Sequence, residues 1–128
     1  TNMVLQAFAG HEYYISLPEA YKAGELLKTR FFQPDTYSSY REARYWVRFI
    51  HWWPNILMAL ESLLNIGFER DDQDISRGLK WFFEHQREDG LWDLENDGKY
   101  RPLKEKDRSE RLWLAISVTR MLNKAFSC

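Results

Sequence analysis

The sequence predicts one all-α domain over residues 1–128, built from antiparallel helical hairpins. Two observations lead to this fold class. Apolar residues recur at intervals of three and four in several segments, which is the spacing of one face of an α-helix. Residues that begin and end helices stand at the borders of these segments. The content of 45% hydrophobic and 29% charged residues is typical of a globular protein.

The amino-terminal part begins with helical periodicity. We expect a first helix over residues 2–16, ending before Pro18 because the residue that precedes a proline disfavours helical geometry. Residues 18–23 predict a short turn, which Gly24 closes. Residues 37–48 predict an irregular segment that contains one helical turn.

The clearest helix signal lies in the middle of the chain. Pro54 is suited to the first position of a helix, where its missing N–H leaves no hydrogen bond unmade. Gly67 is the expected left-handed residue after the helix ends at Ile66. The apolar stripe between them consists of Ile56, Leu57, Leu60, Leu63 and Leu64. This pattern predicts an amphipathic helix against the core.

Another helix is predicted over residues 72–86. Asp71, Asp72 and Asp74 supply a capping side chain and first-turn acids, which interact favourably with the amino-terminal end of a helix. We expect a turn at Glu88–Gly90 directly after this helix.

The remaining residues predict a charged connection and a last helix. Within residues 91–103, the sequence Asn96-Asp97-Gly98 is a tight-turn signal and suggests a two-stranded flap. The last helix should run from Asp107 or Ser109 to Ala125. Its apolar residues occupy more than one stripe, so we expect it to be well buried.

Several classes of function are disfavoured by composition. The net charge of −1 provides no field that would recruit nucleic acid, and no apolar stretch is long enough to cross a membrane. The only cysteine is Cys128, and residues 1–16 do not follow the pattern of a secretory signal, so we expect a cytoplasmic protein. The chain opens on what reads as helix interior, which predicts that it is part of a longer protein.

The segment from Gln86 to Trp92 reads Gln-Arg-Glu-Asp-Gly-Leu-Trp, a Q-x-x-x-G-x-W pattern at the end of a helix. It resembles the QW repeat of the prenyltransferase and squalene-hopene cyclase superfamily, and the likeness extends over residues 45–125. The resemblance implies part of an α/α-toroid and an apolar, isoprenoid-like ligand. We expect Gln86, Gly90 and Trp92 to be structural: an amide at the helix end, a residue for positive φ and an aromatic plate.

The catalytic patterns of that superfamily are incomplete in this chain. Cyclases of the hopene type use a D-x-D-D acid, whereas residues 71–74 read Asp-Asp-Gln-Asp and are expected to cap a helix. Protein prenyltransferases hold zinc through Asp, Cys and His. Here Cys128 is terminal, and the histidines have no ligand spacing. We therefore expect no metal and no cofactor, and no catalytic residue is assigned.

The aromatic segment is the predicted site. Its candidates for the wall of an apolar pocket are Tyr45, Trp46, Phe49, His51, Trp52 and Trp53. Arg44 and Arg48 are interleaved with them. Three interpretations remain open: core packing, a groove for an isoprenoid or other apolar ligand, and an interface with a protein partner or with the rest of a longer chain.

A third class of function is an (α/α)-barrel enzyme that acts on carbohydrates. It requires two carboxylates that face one cleft. Glu84 and Glu88 are the pair that the sequence offers, near the end of a predicted helix.

Overall fold

The computed structural model describes residues 2–34, 42–50 and 54–127. Over these residues the protein is all-α, as predicted: it has six α-helices and no strand. An isolated antiparallel bridge joins Arg48 to Glu95. The α-helices are α1 Asn2–Ala9, α2 Glu12–Ile15, α3 Pro18–Lys28, α4 Ile56–Ile66, α5 Gln73–Glu84 and α6 Arg108–Phe126. Short 3-10 helices span Ala43–Val47 and Glu105–Asp107, and the former matches the helical turn expected within residues 37–48.

Helix α4 lies at the centre of the molecule. It packs against α1, α3, α5 and α6, and most of its side chains are buried. The short loop between α4 and α5 gives these two helices the connection of a helical hairpin. The buried apolar residues of the described segments belong to one continuous cluster.

The prediction of one helix over residues 2–16 was wrong, because the chain breaks at Gly10 and His11. His11 has an extended backbone, with φ −146° and ψ 133°, and its ring nitrogen Nδ1 accepts the backbone N–H of Tyr13 at 3.1 Å. A histidine that caps the next helix therefore interrupts the periodicity. Pro18 is the first residue of α3, so the predicted end before Pro18 is confirmed.

The short turn predicted to close at Gly24 was also wrong. Helix α3 continues through Gly24 to Lys28. A Cβ atom on Gly24 would lie 2.5 Å from the ring of Phe68 and 2.9 Å from the side chain of Leu63. Gly24 is therefore a close-packing residue and not a helix terminator, because α3 approaches the end of α4 at this position.

Both ends of α4 are set by local chemistry. Asn55 is the N-cap, and its Oδ1 accepts the backbone N–H of Met58 at 3.1 Å. The helix therefore begins at Ile56, and the prediction that Pro54 is its first residue was wrong. Gly67 has φ 118° and its N–H donates to the carbonyls of Leu63 and Leu64, as expected for a left-handed cap.

Asp72 caps α5, as predicted. Its Oδ1 accepts the backbone N–H groups of Asp74 at 2.9 Å and Ile75 at 3.2 Å. The other oxygen binds Lys28 Nζ at 2.5 Å, which links α3 to α5. The helix ends at Glu84, before the predicted end at Gln86.

We expect Asp72→Asn to separate the charge of this residue from its capping role. Burial raises the pKa of Asp72, but the hydrogen bonds from Lys28 and from the two backbone N–H groups bring it below its ordinary value. The charged pair therefore stabilises the fold above about pH 4, and this contribution is lost as the pH falls through the lower folded pKa. At neutral pH the Asn variant should lose on the order of 1 kcal/mol of unfolding free energy.

Urea denaturation at neutral and acidic pH measures this effect. The difference between Asp72→Asn and the parent should shrink in acid. Asp72→Ala should be less stable than Asp72→Asn by about 1 kcal/mol, because it also lacks the capping oxygen. Equal stability of the Asn and Ala variants would contradict the capping role.

Helix α6 packs through one face only. Leu114, Val118 and Met121 are buried, whereas Trp113 and Ile116 are each more than half exposed. The expectation that α6 is well buried was therefore wrong. The second apolar stripe of this helix lies at the surface.

The connection before α6 contains the predicted tight turn but not the predicted flap. Gly98 has φ 80°, and Asp97 Oδ1 accepts the backbone N–H of Lys99 at 3.1 Å. Residues 91–103 form no pair of strands. Arg101 binds both carboxylate oxygens of Asp97 at 2.7 Å and so covers the turn.

Candidate functional site

Hydrogen bonds within residues 86–92 hold the Gln86–Trp92 turn. Gln86 Nε2 donates to the carbonyl oxygen of Gly90 at 3.0 Å, and Gly90 has φ 84°. The backbone N–H of Arg87 donates to the carbonyl of Leu91, and that of Gly90 donates to the carbonyl of Arg87. These bonds close the turn on itself and direct Trp92 inward.

Trp92 anchors this turn in the core. It is almost fully buried, and its indole Nε1–H donates to the carbonyl oxygen of Phe82 at 2.8 Å. The rings of Trp92 and Phe82 meet edge to face with their centroids 6.2 Å apart. The hydrogen bond satisfies a carbonyl in the last turn of α5 that has no partner within the helix.

A link between this turn and α6 was missed at the sequence level. Arg111 is buried on α6, and its guanidinium donates to Asp89 Oδ2 at 3.2 Å. The backbone N–H of Leu91, followed by the Arg111 guanidinium, lowers the pKa of Asp89. Arg111 and Asp89 belong to segments predicted as a helix and a turn, and nothing in their spacing indicates the pair.

The aromatic candidates divide into two groups. Tyr45, Trp46 and Phe49 are described, whereas His51, Trp52 and Trp53 lie outside the described residues. Trp46 is buried in the core: its ring contacts Phe31 edge to face at 5.6 Å, and its Nε1–H donates to the carbonyl of Gln33 at 2.8 Å. Its contacts are those of core packing.

The arginines of this segment are engaged by side chains of the same chain. Arg44 pairs with Glu42 at 2.7 Å, and Arg48 pairs with Glu95 at 3.2 Å. Both guanidinium groups also lie over the ring of Tyr45, at 5.2 and 5.8 Å. In the described residues, Arg44 and Arg48 therefore form an ion-pair network beside the ring of Tyr45. This network lies next to the tight turn that contains Asp97.

Phe49 has a different position. Its ring centroid lies 5.7 Å from that of Trp81 and 5.8 Å from that of Phe82. Phe49 also lines a groove between α4 and α6, here called the α4–α6 groove. The groove has a volume of about 680 Å³. Its lining residues are Phe49, Ile50, Asn55, Leu57, Met58, Glu61, Ser109, Glu110, Trp113, Leu114 and Ser117.

The α4–α6 groove was not predicted, although one signal pointed toward it. The second apolar stripe of α6 contains Trp113, which is 55% exposed and lies on the groove wall. A helix with apolar residues on more than one face has apolar surface left over once its packed face is buried. Phe49 is the described member of the predicted aromatic pocket that lines this groove.

Glu61 places a carboxyl group in the wall of the groove. It lies on α4 among apolar residues and is only partly exposed. Burial raises the pKa of Glu61, and the charge of Arg120 partly offsets this effect. Glu110, in the first turn of α6, is the other carboxylate that lines the groove.

The carboxylate pair that the sequence offers for a carbohydrate enzyme does not line the α4–α6 groove. Glu84 and Glu88 are exposed, and Glu84 pairs with Lys80 at 3.5 Å. Within residues 2–34, 42–50 and 54–127, no group of three or more His, Cys, Asp and Glu side chains is arranged to hold a metal ion. In the same residues, no helix combines the length and apolar character needed to cross a membrane.

A comparison with protein-family models, with curated proteins and with solved structures finds no match to this chain. The resemblance of the Gln86–Trp92 turn to the QW repeat, and the toroid arrangement that it implies, therefore stay predictions.

Proposed function

We propose that this domain binds an apolar, isoprenoid-like small molecule in the α4–α6 groove, as a prenyltransferase- or cyclase-like helical domain without a complete catalytic site in this chain. The observation that carries this proposal is the groove itself. It is a concave, mainly apolar space of about 680 Å³, within the range of roughly 300–1,000 Å³ that small-molecule sites occupy.

The walls of the groove suit a hydrocarbon chain. Leu57 and Leu114 are fixed by core packing and provide a rigid floor. Met58 and Trp113 are more accessible and provide adaptable and aromatic contact area. Burying such side chains under a ligand removes apolar surface from water, which favours binding by about 25 cal/mol per Å².

The contacts of Asp72, within residues 71–74, favour ligand binding by this domain over catalysis by a cyclase acid. A cyclase acid must hold a proton near neutral pH, which requires a raised pKa. Asp72 instead has a lowered pKa, since Lys28 and the backbone N–H groups stabilise its charged form. Its three hydrogen bonds assign it to capping and to the link between α3 and α5.

Titration with geraniol, a neutral ten-carbon isoprenoid alcohol, tests the proposal. We expect backbone amide shifts in NMR spectra to concentrate at residues that line the groove. Trp113→Ala should weaken binding about tenfold, because it removes the most exposed aromatic wall. Ile116→Ala is the matched control, since Ile116 is equally exposed on α6 and does not line the groove.

Two results would contradict this function. One is the absence of groove-centred shifts at millimolar geraniol. The other is an equal loss of affinity in Trp113→Ala and Ile116→Ala, which would indicate non-specific adsorption to the apolar surface of α6.

A carbohydrate enzyme is the second candidate, and one observation favours it. Glu61 and Glu110 line the same groove, and the raised pKa of Glu61 is the property of a general acid. The apolar lining favours the isoprenoid-like ligand, because sugar hydroxyls require polar partners. Hydrolysis of a chromogenic glycoside that is abolished by Glu61→Gln would reverse this preference.

A further inference from the structure

We propose that the ligand of the α4–α6 groove is a cationic amphiphile, an apolar body with an ammonium head that pairs with Glu61 and Glu110. This inference rests on the proposed function and adds the charge of the ligand to it. The charge belongs to the polar end of the ligand, whereas the apolar walls of the groove contact its hydrocarbon body.

The charged side chains that line the groove have one sign. Among the described residues that line it, the charged side chains are Glu61 and Glu110, and no lysine, arginine or histidine is present. A site for a prenyl diphosphate would need cationic side chains or metal ions to balance the phosphate charge. Two carboxylates oppose such an anion and attract a cation.

Glu61 is the better placed of the two carboxylates. Its side chain is partly buried beside Leu57 and Met58 on α4, yet in the described part of the chain its carboxyl accepts no hydrogen bond and forms no ion pair. Arg120 affects its pKa only through charge at a distance. A carboxylate without such partners in a partly apolar wall keeps its capacity to bind a cationic donor.

Three groups that favour an ammonium head line the same groove. Glu61 and Glu110 offer charge-assisted hydrogen bonds, which are stronger than those between neutral groups. Trp113 offers an aromatic face for a cation–π contact. The apolar tail can then lie along Leu57 and Leu114, so one molecule would satisfy both parts of the groove.

Three ligands that differ only in the charge of the head group test this inference. Geranylamine, geraniol and geranyl diphosphate share the same ten-carbon chain and differ only in the head group. We expect geranylamine to bind about tenfold more tightly than geraniol, and geranyl diphosphate to bind more weakly than either. Calorimetry or amide shifts at concentrations below micelle formation provide the affinities.

Variants that each remove one carboxylate charge show which residue pairs with the ammonium head. Glu61→Gln and Glu110→Gln should each reduce the ratio of the geranylamine affinity to the geraniol affinity, with both affinities measured in the same variant. Glu84→Gln is the matched control, because Glu84 is an exposed helical glutamate remote from the groove residues in the sequence and absent from its lining. It should leave both affinities as they are.

The outcomes separate this inference from the proposed function. Binding of geraniol without any advantage for geranylamine overturns the inference and leaves the groove function standing. Tighter binding of geranyl diphosphate overturns it as well. An amine advantage that survives in the Glu61→Gln/Glu110→Gln double variant also overturns it, since the cation would then bind elsewhere. Failure of all three ligands to bind removes the proposed function itself.

Discussion

Replacing Trp92 by alanine is expected to lower the free energy of unfolding by about 3–5 kcal/mol. The side chain is 4% exposed, so its removal leaves a cavity at the junction of α5 and the Gln86–Trp92 turn. It also leaves the carbonyl oxygen of Phe82 without the indole donor at 2.8 Å. Both losses occur at the same place, and the edge-to-face contact with Phe82 is lost with them.

Two controls separate the contributions of Trp92. Trp92→Phe keeps an aromatic ring and removes the indole N–H, so we expect a smaller loss, of which the hydrogen bond accounts for about 1 kcal/mol. Trp113→Ala removes the same side chain from a half-exposed position and should change stability by about 0.5 kcal/mol or less. An unchanged melting temperature in Trp92→Ala would contradict its packing role.

The features that the sequence predicted correctly are set by neighbouring residues. Gly67 ends α4 because only a residue that tolerates positive φ closes a helix in this way. Asp72 begins α5 because its short carboxylate reaches the backbone N–H groups two and three residues ahead. Gly90 allows the turn that places Trp92 inward. Each of these depends on a few adjacent residues.

One wrong prediction depends on distant parts of the chain. Gly24 looked like a helix terminator, but it lies within α3 because Phe68 and Leu63 leave no room for a Cβ atom. The contact joins residues far apart in sequence, so the local pattern contains no trace of it. A second wrong prediction is local: residues 2–16 were expected to form one helix, whereas the ring of His11 caps α2. Histidine is an uncommon cap, and periodicity alone does not reveal one.

The α4–α6 groove shows the same limit at the level of function. Its walls come from two helices that are separated by the whole of α5 and the loops around it. Glu61 looks like an ordinary polar residue beside the apolar stripe of α4, and Glu110 like a first-turn acid of α6. Only the packing of the two helices brings these carboxylates to one groove.

Trp46→Ala is expected to cost about 3–5 kcal/mol of unfolding free energy. Trp46 is 1% exposed, which leaves its ring no solvent-facing surface for a ligand. Its ring packs on Phe31, and its Nε1–H satisfies the carbonyl of Gln33 in the loop after α3. Removing it would therefore delete contacts that join the 3-10 helix Ala43–Val47 to the residues that follow α3.

The two tryptophans at positions 46 and 113 then give opposite results in paired measurements. Trp46→Ala should lose stability in urea denaturation, whereas Trp113→Ala should keep stability and lose affinity for geraniol. At a temperature and urea concentration where Trp46→Ala is folded, its groove is intact, and it should bind geraniol as the parent does. Loss of affinity in a folded Trp46→Ala would place the ligand at the aromatic segment instead. That result would favour the aromatic pocket predicted between Tyr45 and Trp53 over the α4–α6 groove, because the two sites share only Phe49 among the described residues.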